Sequence, residues 1–262
     1  MLPRPTLTLV NEQKARIQGQ WVVVAERFPT LGYEEYLRSW LIMNTRTFYH
    51  STPETESYEW VERIGLLPVA DLLNHAERGC KVLYTDTEYT ITTDRVYNAG
   101  DEICNSYGEH TNDFLLGEYG FILLTNCWDE ICVDDAILPQ LSQVQKSNLE
   151  KENLTKGFKI GNDRAPCDRT RRAMQILCRK KGDNLKTNRK ENNENYLEPE
   201  HSALLAAYLE GYMATIDKTM DGIEEMKNVE RGQKELLLQR WRQIRTAVSE
   251  ATDQLENTTS VQ

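Results

Sequence analysis

Apolar positions along the chain change their spacing twice, and each change marks a different kind of structure. Asn11 can cap a helix running through Phe28, and Pro29-Thr30-Leu31-Gly32 breaks it. Tyr36, Leu37, Trp40, Leu41 and Asn44 then recur at helical spacing, which predicts a second helix from Tyr33 to His50. Between residues 66 and 133 the pattern shortens. Lys81 to Thr85 and Tyr89 to Thr93 are short runs rich in Val, Tyr, Thr and Ile, a composition that suits strands. Asp86-Thr87-Glu88 predicts a hairpin turn between them, and Ala99-Gly100-Asp101 a second turn leading into Glu102-Ile103-Cys104. A helix from Asn112 to Tyr119 follows, with Gly120 at the position just past a helix end that favours glycine.

From residue 134 onward long helical stripes return. Leu205, Tyr208, Tyr212, Ile216, Met220 and Ile223 share one face; Leu237, Trp241, Ile244, Val248, Ala251 and Leu255 share another. Two such stripes pack most simply as an antiparallel pair. The segment 182–198, rich in Asn, Lys and Glu, reads as a mobile loop, and the polar tail after Asn257 as a frayed end. The fold class expected is therefore α+β, with a β-containing part over 1–133 and an all-helical part over 134–262.

Composition narrows the function classes. Apolar residues make up 39% and Gly and Pro are not enriched, as in a globular protein. A net charge of −10 argues against a general nucleic-acid binder. Residues 164–190 nevertheless hold a basic stretch (Arg164, Arg169, Arg171, Arg172, Arg179, Lys180, Lys181, Lys186, Arg189, Lys190). That stretch is either a solvated helix and loop or a local basic face toward an acidic partner. No run of 18 apolar residues exists, so no membrane span is expected, and Met1 to Val10 lacks the features of a secretory signal. The six cysteines are dispersed, as in reduced proteins of the cytoplasm or nucleus. The four histidines are dispersed too, and no metal site is expected.

The chemistry concentrates in the middle of the chain. Thr45-Arg46-Thr47-Phe48 precedes Asp71-Leu72-Leu73-Asn74-His75, and Asn105-Ser106-Tyr107-Gly108 follows, Tyr107 lying 32 residues after His75. Next come Asn112, Leu115, Leu116 and, 12 residues beyond Tyr107, Tyr119-Gly120-Phe121. This order resembles the SET-domain protein methyltransferases, specifically the Rubisco large-subunit methyltransferase-like, non-histone class. The resemblance is strong over residues 33 to 135 and looser over the helical remainder. It implies a partial SET domain over 1–133, with 1–65 a helical insert and 66–133 the C-terminal SET part, and a substrate-docking-like helical domain over 134–262. The cysteine-rich zinc segment of many histone-directed members has no counterpart among the six cysteines.

The resemblance also implies roles. Tyr107 matches the catalytic tyrosine beside the transferred methyl group. Arg46, Asp71, Asn74, His75 and Phe121 match residues that hold or shape the pocket of S-adenosyl-L-methionine, and Phe48 matches the lining of the substrate lysine channel. Read from the residues alone, Tyr107 could equally be a buried strand-end tyrosine, Arg46 an ion-pair partner and His75 a structural contact.

One departure stands out. The family places a Gly-x-Gly segment well upstream of the Asn-His pair, whereas only 73 residues precede Asn74 and no Gly-x-Gly occurs among them. The chain therefore reads as N-terminally truncated, and two functions stay open. One is a protein-lysine N-methyltransferase using S-adenosyl-L-methionine on a non-histone protein, with a ribosomal or translation protein as the expected partner and histidine as the other residue type open. The other is a non-catalytic SET remnant that acts as a protein-binding module, the missing front having abolished activity.

Overall fold

The computed structural model describes residues 1–59, 62–85, 88–179 and 197–260. The chain divides into two compact units, Thr6–Cys127 and a second made of Trp128–Gln262 with Met1–Pro5. Together they are mixed α+β, with helices predominating and strands confined to small sheets.

In the first unit, helix α1 spans Arg4–Arg27 and α2 spans Tyr33–Arg46. Helix α1 starts well before the expected cap at Asn11, because Pro5 falls in its first turn, where a missing N–H is no loss. The two helices close on Ile17, Tyr36 and Trp40. Their polar atoms are satisfied at the seam: the Tyr36 hydroxyl donates to the Ile17 carbonyl at 3.1 Å and the Trp40 indole to Gln20 Oε1 at 2.6 Å. Helix α2 ends at Arg46 and not at His50. Thr47, Phe48 and Tyr49, β-branched or aromatic, instead form strand β1, antiparallel to β2 (Ile64–Leu66).

A three-stranded sheet follows, in the order β4-β3-β5. The expected strand at 81–85 is the second half of a longer one, β3 (Asn74–Tyr84), antiparallel to β4 (Tyr89–Thr92). The first half of β3 is polar and carries no strand pattern. It is held by β5 (Cys104–Asn105), which runs parallel to it with Asn74 opposite Cys104 and His75 opposite Asn105. A register shift then brings Cys80 opposite Asn105 as well. Gly79 sits inside that irregularity, and a Cβ there would lie 2.5 Å from the Cys104 carbonyl oxygen and 2.9 Å from Asn105 Cα. Helix α3 spans Asn112–Tyr119, as its sequence predicts; Thr111 caps it by accepting from the Phe114 N–H at 3.3 Å, and Gly120 ends it at φ +78°. It is tied to α1 by buried Thr6, whose hydroxyl lies 3.1 Å from the Asp113 carbonyl oxygen.

The second unit contains the strand pair β6 (Ile131–Cys132) and β7 (Lys159–Ile160), and helices α4 (Asp134–Ile137), α5 (Gln143–Lys151), α6 (Asp168–Leu177), α7 (Pro199–Glu224) and α8 (Arg231–Ser260). The long pair α7 and α8 builds the core, with Leu205, Leu209, Tyr212, Ile216 and Ile223 buried with Trp241, Ile244, Val248, Ala251 and Leu255. Each large apolar side chain so buried stabilises by about 1.5–3 kcal/mol. The expected frayed tail is helical through Ser260. Buried Asp134 accepts from the Gly157 and Phe158 N–H groups at 2.9 and 2.7 Å, closing the loop ahead of β7. The Trp241 indole donates to the Met1 carbonyl at 2.8 Å, which attaches the N-terminal residues to this unit.

Much of the basic stretch is spent within this unit. Arg164 pairs with Glu250 at 2.6 Å, Arg171 with Asp168, Arg172 with Glu152 at 3.5 Å, and Arg169 donates to the carbonyls of Asn153 and Lys156. Its remainder from Lys180 to Lys190, positions 182–196 of the expected loop and positions 86–87 of the expected hairpin turn lie outside the described residues. One histidine does meet carboxylates: ligand atoms of Glu198, Glu200 and His201 lie within 4.8 Å of one another. They stand at the start of α7, where the helix dipole disfavours a cation. Among the described residues no helix is long and apolar enough to cross a membrane.

Replacing Gly79 by alanine drives a Cβ into backbone on β5, which has no side-chain freedom with which to yield. Urea unfolding of the Gly79→Ala chain is expected to register a loss of about 1–3 kcal/mol; unchanged stability would mean that β3 and β5 are not so closely apposed.

Candidate active site

The polar end of β3 gathers most of the residues singled out in the sequence. Asn74, exposed, donates its amide to Glu102 Oε1 at 2.6 Å, a contact across the two strands that precedes β5 by two residues. His75, next along the strand, turns its ring toward Tyr107, whose backbone N–H donates to His75 Nδ1 at 3.0 Å. The Tyr107 hydroxyl reaches back and donates to the Leu73 carbonyl at 2.8 Å. Tyr107 thus straddles the Leu73-Asn74-His75 segment, anchored to it at both its main chain and its ring end.

Aromatic rings complete the cluster. His75 and Tyr107 have centroids 5.0 Å apart, Tyr107 and Tyr119 5.1 Å, His75 and Phe121 5.9 Å, and Tyr107 meets Phe121 edge-on at 6.3 Å. Edge-to-face and tilted contacts of this kind set ring orientation beyond simple burial. Phe121 lies beyond the end of α3, in a segment that buried Asn112 holds by a two-way clamp. Its Nδ2 donates to the Leu123 carbonyl at 3.0 Å, and its Oδ1 accepts from the Leu123 N–H at 3.0 Å. Buried Asn126 donates to that same Oδ1 at 3.1 Å and to the His110 carbonyl at 2.9 Å.

Arg46, at the C-terminal end of α2, donates Nη1 to the backbone carbonyl of Asp71 at 2.8 Å, so the contact between them is not a carboxylate ion pair. Asp71 lies in a short 3-10 turn, Ala70–Leu72, that leads directly into β3. Phe48 is half-buried on β1 opposite Gly65. The structure therefore joins Arg46 to Asp71, and His75 to Tyr107 and Phe121, with Asn74 beside them.

Electrostatics follow from this packing. Burial pushes the Tyr107 hydroxyl above its usual pKa of 10.0, with nearby Arg46 opposing and Cys104 adding to the rise. Burial likewise raises Tyr119, with Glu118 and Tyr107 adding to it. Both phenols stay protonated through the physiological range. His75 moves the other way: burial lowers its pKa below 6.5, the Asn105 backbone opposes, His110 adds to the fall and Glu77 opposes it. A neutral His75 is also what the geometry requires, since Nδ1 must keep a lone pair to accept from Tyr107.

Several participants carried no assigned role in the sequence. His110, Asn126 and Glu102 belong to no motif quoted for the site; Asn112 and Tyr119 do, and their positions flanking the helix and its closing glycine were the available signal.

No family model matches the chain. Among curated proteins it is similar to SET domain-containing protein 4 of Mus musculus, 28% identical over 203 residues that cover 68% of this chain and 46% of that protein. It is similar also to ribosomal lysine N-methyltransferase set11 of Schizosaccharomyces pombe, 31% identical over 102 residues (38% of this chain, 26% of that protein). Ribosomal lysine N-methyltransferase 2 of Saccharomyces cerevisiae is 27% identical over 128 residues (42% and 26%). The chain spans less than half the length of each of these relatives.

Folding lowers the His75 pKa, so the folded chain binds this proton less readily than the unfolded one. The stability it contributes is full above pH 6.5 and declines as pH falls from 6.5 toward the folded-state value. A proton NMR titration is expected to place the His75 midpoint below 6.5, with urea stability falling over the same acid range; a midpoint above 6.5 would contradict the burial. Asn112→Ala, which leaves the Leu123 N–H and carbonyl without this partner, is expected to lower unfolding free energy by roughly 2–4 kcal/mol and to change the near-ultraviolet circular dichroism of the ring cluster.

Proposed function

As a relative of the SET-domain protein methyltransferases, this chain carries, we propose, the tyrosine-centred site of a protein-lysine N-methyltransferase that uses S-adenosyl-L-methionine. The observation that carries this reading is the joining of Tyr107 to the Leu73-Asn74-His75 segment by two hydrogen bonds, inside a ring cluster that includes Phe121.

The donor set fits the cofactor's chemistry. Arg46 commits one guanidinium N–H to the Asp71 carbonyl and is exposed, leaving donors for a carboxylate. Asn74 gives its amide N–H to Glu102, while its Oδ1 stays an acceptor for an ammonium group; the Asp71 carboxylate is a second candidate for it. The His75 main chain and the Phe121 ring offer the hydrogen-bonding edge and the flat apolar surface that a purine needs. When bound, S-adenosyl-L-methionine supplies an electrophilic methyl group on a sulfonium.

The protein's part is to present a neutral amine in line with it. A free lysine has a pKa of about 10.4, so a dry aromatic surround that disfavours the ammonium assists. Tyr107, held protonated by burial, directs its hydroxyl proton to Leu73. Its oxygen lone pairs are thereby left to accept an N–H of the incoming amine and to turn the nitrogen lone pair toward the methyl group. Phe48, on the strand that continues from Arg46, would line the approach of the lysine. The relatives named as ribosomal lysine N-methyltransferases support a ribosomal protein as substrate; the cytoplasm or nucleus as the place of action is proposed from the six free cysteines alone.

A non-catalytic role in binding a protein partner is the alternative, and the bond from the Asn74 amide to Glu102 favours it, since it takes one of that amide's N–H groups away from a cofactor.

Calorimetry with S-adenosylmethionine, and S-adenosylhomocysteine as a check, separates the two. Saturable micromolar binding, with methylation of a ribosomal fraction, is expected; a folded chain that binds neither compound would leave the binding role. Tyr107→Phe is expected to reduce turnover about a hundredfold or more with cofactor affinity within a few-fold, whereas Asn74→Ala is expected to weaken cofactor binding about tenfold. Normal turnover in the Tyr107→Phe chain would remove Tyr107 from the reaction.

A further inference from the structure

The main chain of Tyr107 is held on both sides by imidazoles. Its N–H donates to His75 Nδ1 at 3.0 Å, and its carbonyl oxygen lies 3.1 Å from His110 Nε2. A carbonyl oxygen has no proton to give, so Nε2 of His110 carries one, while Nδ1 of His75 carries none. One ring receives and the other donates, and the single residue between them is the one whose hydroxyl turns back to Leu73.

The His110 ring is fixed by more than this bond. It stacks on Phe114 with centroids 4.2 Å apart and planes 23° from parallel. Its own backbone N–H donates to the Gly108 carbonyl at 3.0 Å, and its carbonyl accepts from the buried Asn126 amide at 2.9 Å. Gly108 has φ +125°, a conformation that side chains rarely adopt, and a Cβ there would stand 2.8 Å from His110 Nε2. The imidazole occupies the space that only a glycine leaves open. Residues 107 to 110 thus form a tight return in which the Tyr107 N–H and carbonyl each end on a histidine, while the Gly108 N–H donates to Ser106 Oγ at 3.3 Å.

We propose that His110 is a positioning residue: by donating from Nε2 to the Tyr107 carbonyl it fixes the rotation of the peptide between Tyr107 and Gly108, and with it the direction in which the hydroxyl meets the substrate amine. This rests on Tyr107 being the tyrosine of methyl transfer. His110 touches neither reacting group and acts only through Tyr107. Loss of the bond frees the peptide to rotate, and a displacement of even an ångström at a reacting centre costs about a hundredfold in rate.

The test compares the unsubstituted chain with His110→Leu, similar in bulk without a donor, and His110→Gln, which keeps a side-chain N–H. In the unsubstituted protein, long-range proton–nitrogen NMR is expected to find Nε2 of His110 protonated and Nδ1 of His75 bare. A His110 ring protonated at Nδ1 alone overturns the proposal without any variant, so a Leu chain that fails to fold does not shelter it. In folded His110→Leu the Tyr107 carbonyl carbon shift is expected to move and turnover to fall tenfold or more, with S-adenosylmethionine affinity within a few-fold. His110→Gln is expected to restore both the shift and the turnover to within about threefold. Unchanged turnover in His110→Leu, or equal losses in Leu and Gln chains, overturns the proposal. If the unsubstituted chain transfers no methyl group at all, the methyltransferase reading fails. The carbonyl shift then decides the His110 contact by itself: a shift moved by Leu and kept by Gln supports it, and no movement overturns it.

Discussion

The pairing of β5 with the polar start of β3 is the contact on which the site depends. Asn74 and His75 contain no strand signal of their own, yet two residues of β5 hold them extended and deliver Tyr107, two positions later, back over Leu73. Gly79 makes the approach possible, because any Cβ there would meet backbone that cannot yield. A parallel contact between short segments is weak by itself. The hydrogen bonds of Tyr107 and the ring cluster reinforce it, so that the strand pair and the site stabilise one another.

Around that contact, charge is kept low and proton positions are defined. Tyr107 and Tyr119 stay protonated because burial penalises phenolate, and His75 stays neutral because burial penalises imidazolium. The exposed Arg46 stands near enough to Tyr107 to oppose the rise in its pKa. The half-buried ring cluster keeps its own phenols and imidazole uncharged, although the Arg46 guanidinium and the carboxylates of Glu77, Glu102 and Glu118 stand around it.

Legibility in the sequence followed the range of the forces involved. Helix α3 was readable because its cap, its apolar positions and Gly120 lie within ten residues. The stripes of α7 and α8 were readable because each repeats over many turns. The first half of β3 was not, since its strand character comes from Cys104 and Asn105, some thirty residues away. The same holds for Thr47–Tyr49, which continue a helical spacing until Ile64–Leu66 pairs with them. Of the site, the closeness of His75, Tyr107 and Phe121 involves motifs whose spacing was visible, whereas the position of His110 depends on backbone dihedrals, φ +125° at Gly108 above all, that spacing does not encode.

The contrast between the two kinds of contact bears on the order in which the chain acquires structure. Helices α7 and α8 are joined by the short connection 225–230, so their faces meet after the closure of a small loop at little entropic cost. The β3–β5 contact closes a loop several times longer, and it gains little until Tyr107 and the rings beyond it are in place. Contact order then sets a slow step at the site and a fast one at the helical pair. On this account the helical hairpin is expected to form before the tyrosine and its two histidines come together.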